Sequence, residues 1–229
     1  KDFNTYIGDN GRVNRCAELI KQGKLKSGAR LLDVGGGIGD LAYAVRDLFS
    51  NTTVVDISAK NIEAARSKGV DQTIVSDIDQ KGLHGIQTGS VTLVTALDFI
   101  EHIVDPENFA RECFRVLESG GEVFINTPNI QYYKHLESQL RGVFPHTSGD
   151  KEVYHGGHLA FYNYNDIFNI FVRSAGFNFE SAQQIRDEEG YSQPPQFFID
   201  KLAPQNQFDY EVVCELLGNP NLLFKCFKP

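Results

Sequence analysis

The alternation of apolar and polar positions divides the chain into short buried runs and amphipathic stretches. Residues 13–22, VNRCAELIKQ, place Val13, Cys16, Ala17 and Ile20 at helical spacing and predict a leading helix. ARLLDV then runs into glycines and reads as a buried strand. Leu41, Ala44, Val45 and Leu48 follow at i, i+3, i+4 and i+7, one face of a helix opening near Gly39. TTVVD (52–56) predicts a second strand. Ser58 can cap a helix through Ile62 and Ala65 that stops near Gly69. QTIVSD (72–77) and VTLVTAL (91–97) are the third and fourth strands. Asp105-Pro106 is a cap followed by proline at the first helical position, and Phe109, Cys113, Val116 and Leu117 share one side of the helix beyond. Ser119-Gly120-Gly121 ends it, and EVFINT (122–127) is a fifth strand.

Strands alternating with helices predict βαβ units, a parallel sheet covered on both faces, and right-handed crossovers. The fold class is therefore α/β, doubly wound, in one domain over 1–229. After strand five the rhythm breaks. Residues 128–157 are polar and aromatic and read as a lid or acceptor insertion. A helix around 164–175 and a strand around 177–183 restore the pattern. Residues 184–220 form a second insertion, and NLLFKCF (221–227) is a last apolar strand.

Composition narrows the partners. The formal charge is −8, from 22 basic and 30 acidic residues, which argues against a nucleic acid partner. No apolar run is long enough to span a bilayer, and KDFNTYIGDNGRVNRC lacks the apolar centre of a signal peptide. Cys16, Cys113, Cys214 and Cys226 are scattered without a CxxC pair, as reduced thiols of a cytoplasmic protein would be. With no Met, even at position 1, the numbering is expected to begin inside a longer natural chain.

The candidate chemistry lies in LLDVGGGIGD (31–40). Glycines at the carboxyl end of a strand let backbone approach a ligand closely. Counted from Gly35 the sixth position is Asp40, unsuited to a phosphate; counted from Gly37 the loop fits GxGxxA. The glycines alone therefore leave a dinucleotide open. The acids separate the two readings. Asp33 precedes the loop and Asp40 follows it; carboxylates there repel a pyrophosphate and attract an ammonium or sulfonium. Asp56 closes the second strand, 21 residues after Gly35, where it can accept both ribose hydroxyls. Each such charge-assisted bond is worth about 1.5–3 kcal/mol when shielded from water. Asp77 closes the third strand and can accept from an adenine amino group. A phosphate-free adenosine with a cationic tail fits this row, and S-adenosylmethionine is such a ligand.

From about Gly28 to Phe179 these motifs resemble, in order, the class I S-adenosylmethionine-dependent methyltransferases. The branch with ubiquinone-type O-methyltransferases and small-molecule methyltransferases is the nearest in appearance. LLDVGGGIGD resembles the first motif, VVDIS the ribose-binding strand end, and SDID the adenine-side acid. LVTALDFIEHIVDPENFARECFRVLESGGEVFINTPN resembles the fourth- and fifth-strand motifs, and HLAFYNYNDIFNIFVRSAGF the segment after the lid. The resemblance implies a Rossmann-like, mostly parallel seven-stranded sheet with its last strand antiparallel. It implies that Asp33, Gly35 and Gly37 contact the methionine tail, and that Asp56 with Ile57 holds the ribose and one adenine face. Asp77 with Ile78 would hold the adenine edge, and Leu97 with Asp98 would line the pocket near the sulfonium. Gly36 and Gly39 are expected to serve turn geometry and helix–sheet packing.

Methyl transfer from a sulfonium is an in-line displacement, so alignment can supply much of the rate, and a hydroxyl acceptor also needs a base. Asp98, Glu101 and His102 follow strand four, and His155 and His158 close the lid; His102 and His158 are the candidate bases. His155-x-x-His158 with Glu152 is too loosely spaced to predict a metal, and none is expected. Tyr132, Tyr133, Tyr154, Phe161 and Tyr162 suit a lid over a mostly apolar small-molecule acceptor. The 184–220 insertion is available to cap that site or to make a homodimer contact. Competing readings are a nicotinamide oxidoreductase using Gly37 to Ala42 and a non-catalytic cofactor-binding module. Asp33 and the absence of a later Tyr-x-x-x-Lys pair oppose the first.

Overall fold

The computed structural model describes residues 11–143, 158–183, 193–197, 199 and 217–229. Its strands are β1 (Arg30–Val34), β2 (Asn51–Asp56), β3 (Gln72–Val75), β4 (Val91–Leu97), β5 (Leu117–Pro128), β6 (Asn178–Gln183) and β7 (Asn221–Phe227). They form one sheet in the order β3-β2-β1-β4-β5-β7-β6. The pairs among β1 to β5 are parallel, and β7 runs antiparallel to both β5 and β6. The doubly wound parallel part is what the sequence pattern predicts, and the seven-stranded sheet with its last strand antiparallel is what the family resemblance implies.

Helices α1 (Gly11–Gln22), α2 (Asp40–Val45), α3 (Ala59–Lys68), α4 (Ile78–Lys81), α5 (Pro106–Val116), α6 (Tyr133–Leu140) and α7 (Tyr164–Phe168) connect the strands. Successive strand side chains point to opposite faces, so both faces of a covered sheet must be apolar. Leu31, Val54 and Leu93 pack with Cys16, Ile20, Leu41, Val45 and Ile62 from α1, α2 and α3. Leu32, Val55 and Val94 pack with Phe109, Cys113, Ile167 and Phe171 from the α5 and α7 side. Cys16, Cys113 and Cys226 are free and buried, while Cys214 lies outside the described residues.

The predicted caps form. Ser58 Oγ accepts from Asn61 N–H at 3.3 Å, and Gly69 ends α3 in the left-handed region. Asp105 accepts from Asn108 N–H at 2.8 Å with Pro106 at the first helical position.

Four boundaries differ from the sequence reading. β3 ends at Val75, so Asp77, expected to close the strand, instead caps α4. α2 lasts six residues and tightens into a 3-10 turn over Arg46–Leu48, which turns Ala44 and Leu48 outward and buries Leu41, Ala42 and Val45. α5 stops at Val116, because Leu117 is extended and pairs with Val91 to open β5. The helix expected over 164–175 is α7 followed by a π-type segment, Asn169–Ser174.

α6 follows β5, and the chain between them is held by backbone bonds. Asn129 N–H donates to Pro220 O at 2.7 Å, and Ile130 N–H to Tyr162 O at 3.0 Å. Among the described residues no helix is long and apolar enough to cross a membrane.

Candidate active site

The carboxyl ends of β1, β2 and β4 converge on the glycine loop. Gly35 and Gly36 N–H both donate to Val55 O, at 2.8 and 3.3 Å, which folds the loop across the top of β2. Gly35 has φ +67, and a Cβ there would stand 2.4 Å from the Phe99 ring. At Gly36 a Cβ would stand 2.5 Å from Asp33 Oδ2. Gly36 therefore roofs a carboxyl, a closer constraint than turn geometry. Gly37 has φ +54 and open space where a side chain would be, and its N–H donates to Asp56 Oδ2 at 3.0 Å. Gly39 meets Val70 and Ala65 in the expected packing of loop on helix.

Asp33 is 2% exposed and accepts a 2.7 Å bond from Thr95 Oγ1. The parallel register sets Asp33 opposite Thr95, a pairing that sequence patterning does not reveal. Burial, with Asp56 and Asp40 nearby, pushes the Asp33 carboxyl up to about 7 against the pull of the Thr95 bond. Asp56 Oδ1 accepts from Ser58 N–H at 2.8 Å and Asn61 Nδ2 at 3.3 Å, so this carboxylate joins the first loop to the start of α3. Asp40, read as facing a cationic ligand, instead pairs with Lys68 of α3.

Ile57 is 69% exposed, and Val75 on the neighbouring strand end is 50% exposed. Two bare apolar side chains beside Asp56 offer a surface to a flat ring; Val75 escaped the sequence reading. Asp77 caps α4, its Oδ1 accepting from Asp79 and Gln80 N–H at 3.1 and 3.4 Å. Ile78 is buried in the core.

At the end of β4, Leu97 packs against the α1–α3 side of the core. Asp98 follows with φ +50, outside the usual range for a residue with a side chain. Asn126 of β5 holds it twice: Asn126 Nδ2 donates to Asp98 Oδ1 at 2.7 Å, and Asp98 N–H donates to Asn126 O at 3.0 Å. Arg12 of α1 pairs with Asp98 Oδ2 at 3.0 Å. Neither Arg12 nor Asn126 carried a sequence signal, because their use depends on packing between distant elements.

His102 lies in a 3-10 turn, Ile100–His102, and its ring centroid is 4.8 Å from that of His158. The two candidate bases are thus neighbours. Leu159 and Ala160 N–H donate to Glu101 O at 2.8 and 3.3 Å, which ties the 158–160 segment to the β4 loop. Glu152 and His155 lie outside the described residues. The rim therefore combines an acidic, glycine-lined shelf at β1 and β2 with an imidazole pair at the end of β4.

Known proteins share this plan. Residues 10–182 match the family Methyltransferase domain. The ubiquinone biosynthesis O-methyltransferase of Xanthomonas oryzae pv. oryzae is 34% identical over 106 residues, covering 45% of this chain and 44% of that protein. The match thus spans under half the length of that curated relative. A SAM-dependent methyltransferase from Thermotoga maritima superposes with a TM-score of 0.64 at 16% identity, over 96% of this chain and 91% of that one. The cyclase SpnF superposes with a TM-score of 0.63 at 20% identity, over 96% and 85%. With the family match covering most of the described sheet, this chain belongs to the methyltransferase domain family and has the class I S-adenosylmethionine-dependent architecture.

Proposed function

We propose that the protein transfers a methyl group from S-adenosylmethionine to a small-molecule acceptor, at oxygen, by in-line displacement. The observation that carries the reading is the shelf built by Asp33, Gly37 and Asp56. It presents the Asp56 carboxylate and the Gly37 turn, with the Asp33 carboxyl enclosed beneath the loop, and it offers no lysine or arginine for a diphosphate at those positions. Asp56 would accept from the ribose hydroxyls, with Ile57 and Val75 against the adenine, and Asp33 and Asp98 would favour the cationic methionine end. Asp77 with Ile78 would bound the adenine edge. The preference for oxygen rests on the O-methyltransferase relative and on the imidazole pair, since an alcohol must lose a proton as it is methylated. His102 and His158 are the groups proposed to receive it.

Fold alone does not fix the reaction, as the likeness to a cyclase illustrates. Calorimetry tests the first half of the reading: S-adenosylhomocysteine is expected to bind and NAD not to bind, and the reverse would overturn it. A labelled-methyl assay against a panel of phenolic and alcoholic acceptors tests the second half.

A further inference from the structure

Glu101 is the buried acid for which the cofactor shelf has no use. It is 1% exposed, and its Oε2 accepts from Thr127 Oγ1 of β5 at 3.1 Å. Its Oε1 is enclosed with no hydrogen-bond partner. One carboxylate oxygen of Glu101 and one ring nitrogen each of His102 and His158 lie within 4.8 Å of one another. An unpaired buried carboxylate costs several kcal/mol, whereas a proton held jointly with adjoining imidazoles lowers that cost.

We propose that Glu101 is the positioning residue of methyl transfer, sharing a proton with the imidazoles of His102 and His158 and taking up, through one of them, the proton that leaves the acceptor hydroxyl. This rests on the methyltransferase reading above. In the step, the acceptor oxygen forms its bond to the methyl carbon as the carbon–sulfur bond breaks, and the sulfonium becomes a neutral thioether. The acceptor O–H bond breaks, its electron pair stays on oxygen, and the proton passes to an imidazole nitrogen. Glu101 takes that proton in its ionised form, which fills as pH rises toward and past about 8, and ends as the neutral acid, so the positive charge lost at sulfur leaves as that proton.

The groups around Glu101 are Asp98 at the end of β4, Arg12 from α1, Thr127 from β5, the two imidazoles, and Tyr162. Burial and then Asp98 raise the carboxyl to about 8, while Thr127 and Arg12 oppose the shift. Burial, and after it Glu101 and Asp166, raises Tyr162 to about 12.

Long-range proton–nitrogen NMR of the imidazole rings tests the proposal without an acceptor. The full chain would be titrated from about pH 5 to about pH 10 in EDTA. At least one of the two rings is expected to follow a second step near pH 8. In Glu101→Gln that step disappears, while the affinity for S-adenosylhomocysteine stays within about threefold. If Glu101→Gln fails to fold, Thr127→Val serves: losing a donor to the carboxylate is expected to move the step upward by about one pH unit. Rings that titrate in one identical step in native and variant protein overturn the proposal, as does a second step that EDTA abolishes. Failure of the native chain to bind S-adenosylhomocysteine would count against the cofactor reading alone, since the titration does not depend on it.

Discussion

Gly36 has room for a hydrogen atom and little else. A Cβ there would stand 2.5 Å from Asp33 Oδ2 and 3.1 Å from Val54 Cγ1, and Asp33 is enclosed and bonded to Thr95. Gly36→Ala is therefore expected to cost about 1–3 kcal/mol of stability and to weaken S-adenosylhomocysteine binding roughly tenfold. Thermal unfolding and calorimetry measure the two effects. The glycine run and the acids near the ends of β1 and β2 stand out in the sequence itself, and the structure brings Asp33, Gly37 and Asp56 together. That Gly36 roofs Asp33 was not legible there, because a side chain folding back from a strand end leaves no periodic trace. Asp33 itself gives a pH signature. Its folded carboxyl, raised from 3.8 to about 7, keeps a proton that the unfolded chain gives up. Native protein thus binds more protons than unfolded protein in that interval, and stability falls as pH rises through it. The stabilisation is present in full below about pH 4 and lost above about pH 7, with a slope of at most about 1.4 kcal/mol per pH unit from one group. Asp33→Asn, which cannot ionise, is expected to flatten the fall in unfolding temperature between about pH 5 and pH 7. An equally steep fall in the variant would contradict this.

Among the elements, α5 is the one most fully written in local sequence. Asp105 caps it, Pro106 opens it, and Phe109, Ala110, Cys113 and Val116 are buried on one face. Asp105→Ala removes the acceptor for Asn108 N–H and is expected to cost about 1 kcal/mol. For a chain of this size that is a drop of about 2–4 °C in the unfolding midpoint, readable by calorimetric scan. The end of α5 was harder to read. Ser119-Gly120-Gly121 looks like a helix stop, yet Leu117 already belongs to β5 through its pairing with Val91. Strand pairing across the sheet overrode a local turn signal there. The π-type segment after α7 was equally hidden, since apolar spacing does not separate it from an α-helix over six residues. The Arg12–Asp98 pair joins α1 to the end of β4 by a contact that neither segment announces alone.

At the scale of the whole molecule, the alternation of strands and helices gave the parallel part of the sheet directly. The antiparallel β7 came only from the family resemblance, since an apolar run carries no direction. Ligand linkage acts at this scale as well. Saturation with S-adenosylhomocysteine at about 100 times its dissociation constant is expected to add about 2.7 kcal/mol, raising the unfolding midpoint by several degrees. The strand order has a further consequence, one of timing. β6 precedes β7 in the chain, yet its sheet neighbour is β7, which inserts between it and β5. During synthesis β6 must therefore wait, edge bare, until Asn221–Phe227 has left the ribosome and threaded into place. A nascent chain stalled before that segment should be cut by protease near 178–183 while β1 to β4 already resist, so this side of the sheet sets when the newborn protein is safe.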